Sequence, residues 1–230
     1  MLKVHRLTIK DKEKRVVDVS FEIKNRLGII GQSGSGKSLI LKTLLGMQPS
    51  SLDTTFEYDY KERIQRGINI AFVPQNPFTA LSPLTKIKEQ FFTPIDKVHE
   101  VFALVNLDIS LLDKYPPQLS GGQLQRVIIA QAIVSEAQII LFDEPTTALD
   151  SKNVDTILNL INELQVKLGF KMVFVTHDMD VASRVTDSLI ILHEGLIVES
   201  GENEMIFNNP QNSYTKLLLE SNFKNREFRV

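Results

Sequence analysis

The chain has 230 residues, with 26 basic and 28 acidic side chains, a formal charge of −2 and no cysteine. The lack of cysteine excludes disulfides, cysteine-ligated zinc and thiol catalysis. A near-neutral charge gives no bulk attraction for nucleic acid, so we expect no nucleic-acid partner. No apolar run approaches the ~20 residues that span a bilayer, and the first residues lack the apolar core of a signal peptide. We therefore expect a soluble chain that reaches a membrane only through a partner.

Predicted strands and helices alternate along the chain, which favours the α/β class with a largely parallel central sheet. The predicted strands cover 16–23, 27–30, 68–73, 139–142 and 171–176, with a hairpin formed by 188–192 and 196–199. The predicted helices cover 37–47, 97–105, 120–134, 152–168, 178–185 and 214–219.

The stretch 76–118 differs from the rest of the chain because five prolines interrupt its short helical patterns. We interpret it as a small helical subdomain that is inserted into a single domain covering 1–230. The α/β catalytic core is then formed by 1–75 and 119–230, with an N-terminal part made of antiparallel β structure.

A glycine-rich segment joins the predicted strand 27–30 to the predicted helix 37–47. Its sequence, Gly31-Gln32-Ser33-Gly34-Ser35-Gly36-Lys37-Ser38, has the spacing of the phosphate loop of nucleotide-binding proteins. The glycines let backbone N–H groups turn toward phosphate, and the N-terminus of the following helix favours an anion. We expect Lys37 to reach the β- and γ-phosphates and Ser38 to bind Mg²⁺. The alternative, an ordinary Gly/Ser turn, is disfavoured by the strand–loop–helix context.

Two carboxylates, Asp143 and Glu144, follow the fully apolar strand 139–142. Taken alone, such a pair is as well explained by the start of a loop. After a phosphate loop, however, a carboxylate at the end of a buried strand indicates a site for Mg²⁺ and water. We expect Asp143 to bind Mg²⁺ and Glu144 to act as the general base on the attacking water.

The segment Leu119-Ser120-Gly121-Gly122-Gln123-Leu124-Gln125-Arg126 opens the predicted helix 120–134. Ser120 with Gln123 has the spacing of a capping box, so a capped helix without any other role is one interpretation. Two adjacent glycines in a first helical turn cost roughly 1 kcal/mol each relative to alanine. That cost indicates a backbone that something else approaches closely.

Together these segments resemble the ATP-binding cassette (ABC) ATPases, and the resemblance covers nearly the whole chain. It implies that Ser120, Gly121, Gly122 and Gln123 bind the γ-phosphate of ATP held by an opposite subunit. The active unit is then a dimer with ATP sandwiched between two chains. The resemblance also implies that Gln75 takes part in catalysis and binds Mg²⁺. It implies that Asp150 belongs to the loop that crosses the dimer interface, and that His177 forms a hydrogen bond to the γ-phosphate. A helix N-cap at Asp178 is an equally good local explanation for the segment at His177.

The chain departs from the family pattern at 8–10, where members usually carry an aromatic residue that stacks on adenine. The residues here are Thr8, Ile9 and Lys10. We therefore expect weaker nucleotide affinity and a weaker preference for adenine over guanine. The turn at 24–26 is also about two residues shorter than usual, which tightens a hairpin without touching the site.

Three stretches, 75–83, 115–120 and 206–218, resemble the oligopeptide, dipeptide and nickel importer branch of the family. The chain lacks the Cys-containing tail of many peptide importers, which favours the short nickel or metallophore-type members. This resemblance implies ATP and Mg²⁺ as cofactors and a place on the cytoplasmic face of the cell membrane. Its partners are then permease subunits that contact 76–90, a second ATPase subunit (the same chain or a paralogue) and an extracytoplasmic solute-binding protein. The alternative is a soluble ABC ATPase without a transport role, of the cluster-assembly or repair type.

Overall fold

The computed structural model describes residues 1–147 and 149–227, apart from the side chains of 151, 152 and 222–227. The strands are β1 Leu2–Asp11, β2 Lys14–Ile23, β3 Arg26–Ile30, β4 Asp53–Asp59, β5 Ile70–Val73, β6 Ile139–Asp143, β7 Lys171–Thr176, β8 Ser188–His193 and β9 Leu196–Glu202. The helices are α1 Lys37–Leu44, α2 Pro77–Ala80, α3 Ile95–Leu104, α4 Gly121–Val134, α5 Ser151–Leu168, α6 Met179–Val185, α7 Asn203–Asn208 and α8 Ser213–Glu227. The chain forms two compact units, unit 1 (1–65 and 171–230) and unit 2 (66–170).

Unit 1 is built on a sheet with the strand order β4-β1-β2-β9-β8-β3-β7. β3 pairs in parallel with both β7 and β8, whereas β1 pairs antiparallel with both β2 and β4. The sheet therefore has a parallel part and an antiparallel β part, as the sequence predicted.

The two parts of this sheet differ in sequence for a physical reason. Five of the six residues of β7 are buried, and such a continuous apolar run is typical of a parallel strand covered on both faces. In β2, by contrast, Val17, Val19 and Phe21 are buried while the residues between them are less so, the period of a half-buried strand.

Unit 2 contains the parallel pair β5 and β6, in the register that places Val73 opposite Phe142. The helix α4 buries Leu124, Val127 and Ile128 among its core residues. Within 76–118 the described elements are all helical, namely α2, α3 and three 3₁₀ segments at 87–90, 109–113 and 116–118. The boundaries of an inserted helical subdomain at 76–118 stay a prediction.

Two strands of unit 1, β1 and β4, do not appear among the sequence predictions. The alternation of β1 is broken by irregular pairing between Val4 and Leu7, and β4 has an exposed residue at every second position and is only half-buried at the others. Neither pattern stands out without knowledge of the partner strand. Over 1–147 and 149–227, no helix combines the length and the apolar character that crossing a bilayer requires.

Candidate nucleotide site

The phosphate loop of unit 1 leaves the end of β3 and enters α1 at Lys37. Gly31 has no room for a side chain, because a Cβ there would lie 2.3 Å from the carbonyl oxygen of Leu192. Gly34 and Gly36 have φ angles of 81° and 105°, a region that other residues enter only at a cost. The fold therefore excludes a side chain at Gly31 and favours glycine at 34 and 36.

Two polar side chains face inward in this loop. Lys37 is 5% exposed, and its Nζ donates to the carbonyl oxygens of Gly31, at 2.7 Å, and Gln32, at 2.9 Å. Among the described residues the buried Ser35 hydroxyl has no hydrogen-bond partner, which is costly in a folded protein unless a ligand satisfies it. A fixed cation and an unsatisfied hydroxyl at a helix N-terminus suit an anionic phosphate group.

The loop is supported by β2 and by the turn between β8 and β9. The N–H of Gly195 donates to the carbonyl oxygen of Ser35 at 3.1 Å, and the N–H of Asp18 donates to that of Gly195 at 2.8 Å. A Cβ on Gly195 would lie 1.9 Å from the carbonyl oxygen of Val16, so this contact needs glycine. The sequence predicts a hairpin whose turn falls between 192 and 196, but it does not indicate that Gly195 in this turn contacts the phosphate loop.

His177 follows the last residue of β7, and Gly31 follows the last residue of β3. The two strands are parallel neighbours, with Ile30 opposite Thr176. Because the carboxyl ends of parallel neighbours open on the same edge of a sheet, His177 and the phosphate loop leave that edge side by side. Asp178 caps α6 by accepting from the N–H groups of Asp180 and Val181. The predicted helix cap at Asp178 is therefore present, and the preceding residue, His177, follows a strand that neighbours the one before the phosphate loop.

In unit 2, β6 ends on Asp143 and the next residue is Glu144. The carboxylate of Glu144 accepts from Gln75 Nε2 at 3.4 Å and from Thr147 Oγ1 at 3.0 Å. Gln75 follows β5, the parallel neighbour of β6, so two separate predictions converge on one pair of side chains. Glu144 has a φ of 44°, which costs a non-glycine residue roughly 1–2 kcal/mol. Lys12, Asn106, Glu136 and Glu194 have similar φ angles, so this conformation alone does not mark a functional residue.

Ser120 is the N-cap of α4, and the capping box is complete. Ser120 Oγ accepts from the N–H of Gln123 at 3.3 Å, and Gln123 Oε1 accepts from the N–H of Ser120 at 2.9 Å. The two glycines between them differ. A Cβ on Gly121 would lie 3.6 Å from Phe78, an ordinary contact, whereas one on Gly122 would lie 3.1 Å from Asn153 Oδ1. The fold of this chain therefore does not require glycine at 121.

Asp150 is the N-cap of α5. Its carboxylate accepts from the backbone N–H of Asn153 at 3.0 Å and from Asn153 Nδ2 at 2.8 Å. Because Asn153 also contacts Gly122, the start of α5 lies against the first turn of α4. Sequence reasoning did not single out Asn153, whose role becomes visible only when these two helix ends meet.

The predicted site residues are divided between the units. The phosphate loop with Ser38 and His177 belongs to unit 1, while Gln75, Asp143, Glu144, Asp150 and the segment 120–123 belong to unit 2. The predicted magnesium ligands, Ser38, Gln75 and Asp143, stay a prediction.

At the predicted adenine position, Thr8 and Ile9 are buried and Lys10 is exposed. Thr8 donates its hydroxyl proton to Asp18, so this part of β1 presents no ring to a base.

Comparison with known families matches residues 15–147 to the family described as ABC transporter. The oligopeptide transport ATP-binding protein OppF of Lactococcus lactis subsp. lactis is 33% identical over 227 residues, 89% of this chain and 70% of the relative. The metal-staphylopine import system ATP-binding protein CntD of Staphylococcus aureus is 31% identical over 255 residues, 97% of this chain and 94% of the relative.

A solved structure, the dimeric post-hydrolysis state of the ATP-binding cassette MJ0796 bound to ADP and Pi, superposes with a TM-score of 0.73. It is 29% identical and covers 88% of this chain and 99% of its own. The fold, the phosphate loop and these similarities agree with one another. The chain belongs to the family of ABC transporter ATP-binding proteins and is an ATPase.

Proposed function

We propose that this chain is the ATP-hydrolysing subunit of a membrane importer for metal chelates or peptides, held at the cytoplasmic face of the cell membrane by permease subunits. The observation that carries the proposal is the similarity of almost the whole chain to importer ATP-binding proteins, at 31–33% identity over 89–97% of its length. The pairing of Gln75 with Glu144 supports the catalytic part of the proposal.

In hydrolysis, the phosphate loop and Lys37 hold the phosphates of ATP. Glu144 takes a proton from the attacking water, and Gln75, hydrogen-bonded to Glu144, orients that carboxylate and the water. His177 donates a hydrogen bond to the γ-phosphate, where negative charge develops. Ser38, Gln75 and Asp143 would hold Mg²⁺, whose charge would offset that of the phosphate oxygens.

The active form is a dimer of this chain with a second ATPase subunit, the same chain or a paralogue, in which each subunit completes the site of the other. Ser120, Gly121, Gly122 and Gln123 begin a helix of 14 residues, whose N-terminus attracts the γ-phosphate of ATP bound to the opposite copy. The room above Gly121 supports this role, because the chain's own packing gives no reason for a glycine there. Asp150 lies at the start of α5, against α4, and reaches across the interface.

The permease contact lies in a groove of unit 2 with a volume of about 950 Å³, lined in part by Leu81, Phe91, Phe92 and Ile128. Phe92, which lines this groove, is 99% exposed. Exposed apolar side chains beside a groove are typical of protein interaction sites. The apolar face of a permease helix is the occupant we propose, because importer ATPases need a membrane subunit to act on.

Importer relatives of both solute classes match this chain, one named for oligopeptides and one for metal-staphylopine. Nickel or a metal chelate is the solute that we test first. A second ATPase subunit and an extracytoplasmic solute-binding protein complete the complex, and the solute-binding protein is the subunit that selects the solute.

Two variants test the proposal. Glu144→Gln keeps the size of the side chain and removes its basicity, so ATP turnover falls by at least about a hundredfold while ATP still binds. Phe92→Ser, in the groove, abolishes solute uptake and co-purification with a membrane protein, but leaves ATP binding unchanged. The matched control is Ile109→Ser, which changes another exposed apolar residue of unit 2 (56% exposed) and preserves uptake.

The alternative, a soluble ABC ATPase without a transport role, predicts that neither variant affects uptake of any solute and that no membrane protein co-purifies. Retained hydrolysis in Glu144→Gln would show that a residue other than Glu144 is the general base. These outcomes separate a failure of the transport proposal from a failure of the catalytic one.

A further inference from the structure

Tyr214, at the start of α8, contacts the phosphate loop of unit 1. Its hydroxyl oxygen lies 3.4 Å from the backbone nitrogen of Gln32 and accepts that N–H. Its ring lies against His193, with 3.9 Å between ring centroids and an angle of 31° between the planes. One side chain of the C-terminal segment thus contacts both the nucleotide loop and the strand end beside it.

The position of Tyr214 is fixed by its own helix start. Asn212 Oδ1 accepts the N–H of Tyr214 at 2.8 Å. The carboxylate of Glu199 accepts the N–H groups of Gln211 and Asn212 at 2.7 and 3.1 Å. Because Glu199 lies on β9, these bonds attach the start of α8 to the sheet and hold the backbone of Tyr214 beside the loop.

The second contact, with His193, leads to the far end of the same loop. His193 ends β8, and two residues later the N–H of Gly195 donates to the carbonyl oxygen of Ser35 at 3.1 Å. Tyr214 therefore touches the loop directly at Gln32 and supports it at Ser35 through the turn that follows His193.

The backbone of Gln32 takes part in three hydrogen bonds of the loop. Its carbonyl oxygen accepts from the N–H of Ser35 at 3.2 Å and from Lys37 Nζ at 2.9 Å. The N–H of Gln32 donates to the hydroxyl oxygen of Tyr214. A change at Tyr214 is therefore transmitted to the lysine and to the turn that receive the phosphates.

We propose that Tyr214 is a positioning residue of the ATPase, whose ring and hydroxyl together hold the phosphate loop in the shape that binds ATP. The segment 206–218, which drew attention in the sequence only as a mark of the importer branch, then serves the catalytic site of its own chain. Tyr214 acts on the affinity for nucleotide, because it contacts the loop and not the water or its base.

The test compares Tyr214→Phe, Tyr214→Leu and Leu218→Ala in the full chain. Leu218 is the matched control because it lies in α8, is 8% exposed and packs in the same apolar cluster as Ile30, without a hydrogen bond to the loop. For each variant the measurements are the dissociation constant of ATP by calorimetry, kcat at saturating ATP, and the midpoint of thermal unfolding.

We expect the dissociation constant of ATP to rise about threefold in Tyr214→Phe, from loss of one hydrogen bond. In Tyr214→Leu it rises about tenfold, because the ring contact is lost as well. In both variants kcat at saturation stays within about twofold of the wild type. Leu218→Ala lowers the unfolding midpoint and leaves the ATP affinity unchanged.

Equal losses of ATP affinity in Tyr214→Leu and Leu218→Ala overturn the proposal, because they reduce Tyr214 to an ordinary core contact of α8. Wild-type affinity in Tyr214→Phe overturns the role of the hydroxyl. Since Tyr214→Phe keeps the ring and its packing, this variant remains informative if Tyr214→Leu does not fold.

Discussion

The Nε2 atom of Gln75 lies 3.4 Å from Oε2 of Glu144, although 69 positions of sequence separate the two residues. Parallel pairing of β5 with β6 causes this meeting, because the residues that follow Val73 and Phe142 leave neighbouring strand ends. The amide can hold the carboxylate in one orientation. Such a fixed carboxylate suits the proposed role of Glu144 as the general base.

Replacing Gly121 with alanine separates fold from function in the segment 120–123. The new Cβ meets Phe78 at 3.6 Å and Leu149 at 3.9 Å, ordinary contact distances, and alanine favours the helix. We expect the unfolding midpoint to be unchanged or raised, and ATP hydrolysis to fall by at least about tenfold because the methyl group keeps the opposite phosphate away. Full activity in this variant would show that the helix N-terminus approaches no ligand.

Gln125 is a buried amide without a hydrogen-bond partner in the described part of the chain. It is 0% exposed, and neither Oε1 nor Nε2 forms a hydrogen bond. An apolar side chain of similar shape avoids that desolvation cost, so Gln125→Met raises the free energy of unfolding by about 1 kcal/mol. The measurement is denaturant unfolding.

The control for that prediction is Gln131→Met on the same helix, where Nε2 donates to the carbonyl oxygen of Gln90 at 3.0 Å. Loss of this bond lowers stability. If both variants are destabilised alike, Gln125 has a partner that forms only in solution.

Glu199 makes the stability of α8 depend on pH. Burial raises the pKa of this carboxyl, but hydrogen bonds from the N–H groups of Gln211 and Asn212, together with the charge of Lys216, outweigh burial, and the pKa lies below its ordinary value of 4.5. A lowered folded pKa means that the stabilisation is fully present above 4.5 and is lost as pH falls through the folded value.

At pH 7 we expect the free energy of unfolding of Glu199→Gln to be lower by about 1 kcal/mol, because two hydrogen bonds lose their charged acceptor. The difference between variant and wild type should shrink below pH 4.5 and vanish below the lowered pKa. Thermal unfolding of both proteins across this range measures it. A difference that does not change with pH would mean that the charge of Glu199 makes no contribution.

Nucleotide selectivity tests the departure at the adenine position. With Thr8 and Ile9 buried and no ring on this part of β1, GTP should compete with ATP at a similar concentration. Lys10→Tyr places an aromatic ring at the exposed position, and base stacking of about 1–3 kcal/mol should then tighten the binding of nucleotide. Competition binding with both nucleotides gives the ratio. A strong preference of the wild type for ATP would show that the adenine base is recognised by residues other than 8–10.

Much of this molecule follows from local sequence. The strand–loop–helix around 31–38, the cap and capping box at Ser120 and the apolar strand before Asp143 depend on residues close together in sequence, and the structure confirms these elements. The fold class is confirmed too. The roles of the site residues in chemistry, including those of His177 and Asp150, stay predictions.

What the sequence could not provide are contacts between distant segments. Tyr214 with Gln32, and Gly195 with Ser35, depend on how β8, β9 and α8 pack around β3, and no local pattern encodes that. The strand β4 was missed because its inward side chains are only half-buried, so hydrophobic period alone does not reveal it.

The most direct test of the central claim is the oligomeric state of Glu144→Gln with and without ATP and Mg²⁺, measured by light scattering after size exclusion. The account predicts a monomer without nucleotide and a dimer with ATP, because the variant binds ATP between two copies and cannot hydrolyse it. A monomer under both conditions, with ATP binding confirmed, would contradict the self-pairing sandwich and require a different ATPase chain as partner.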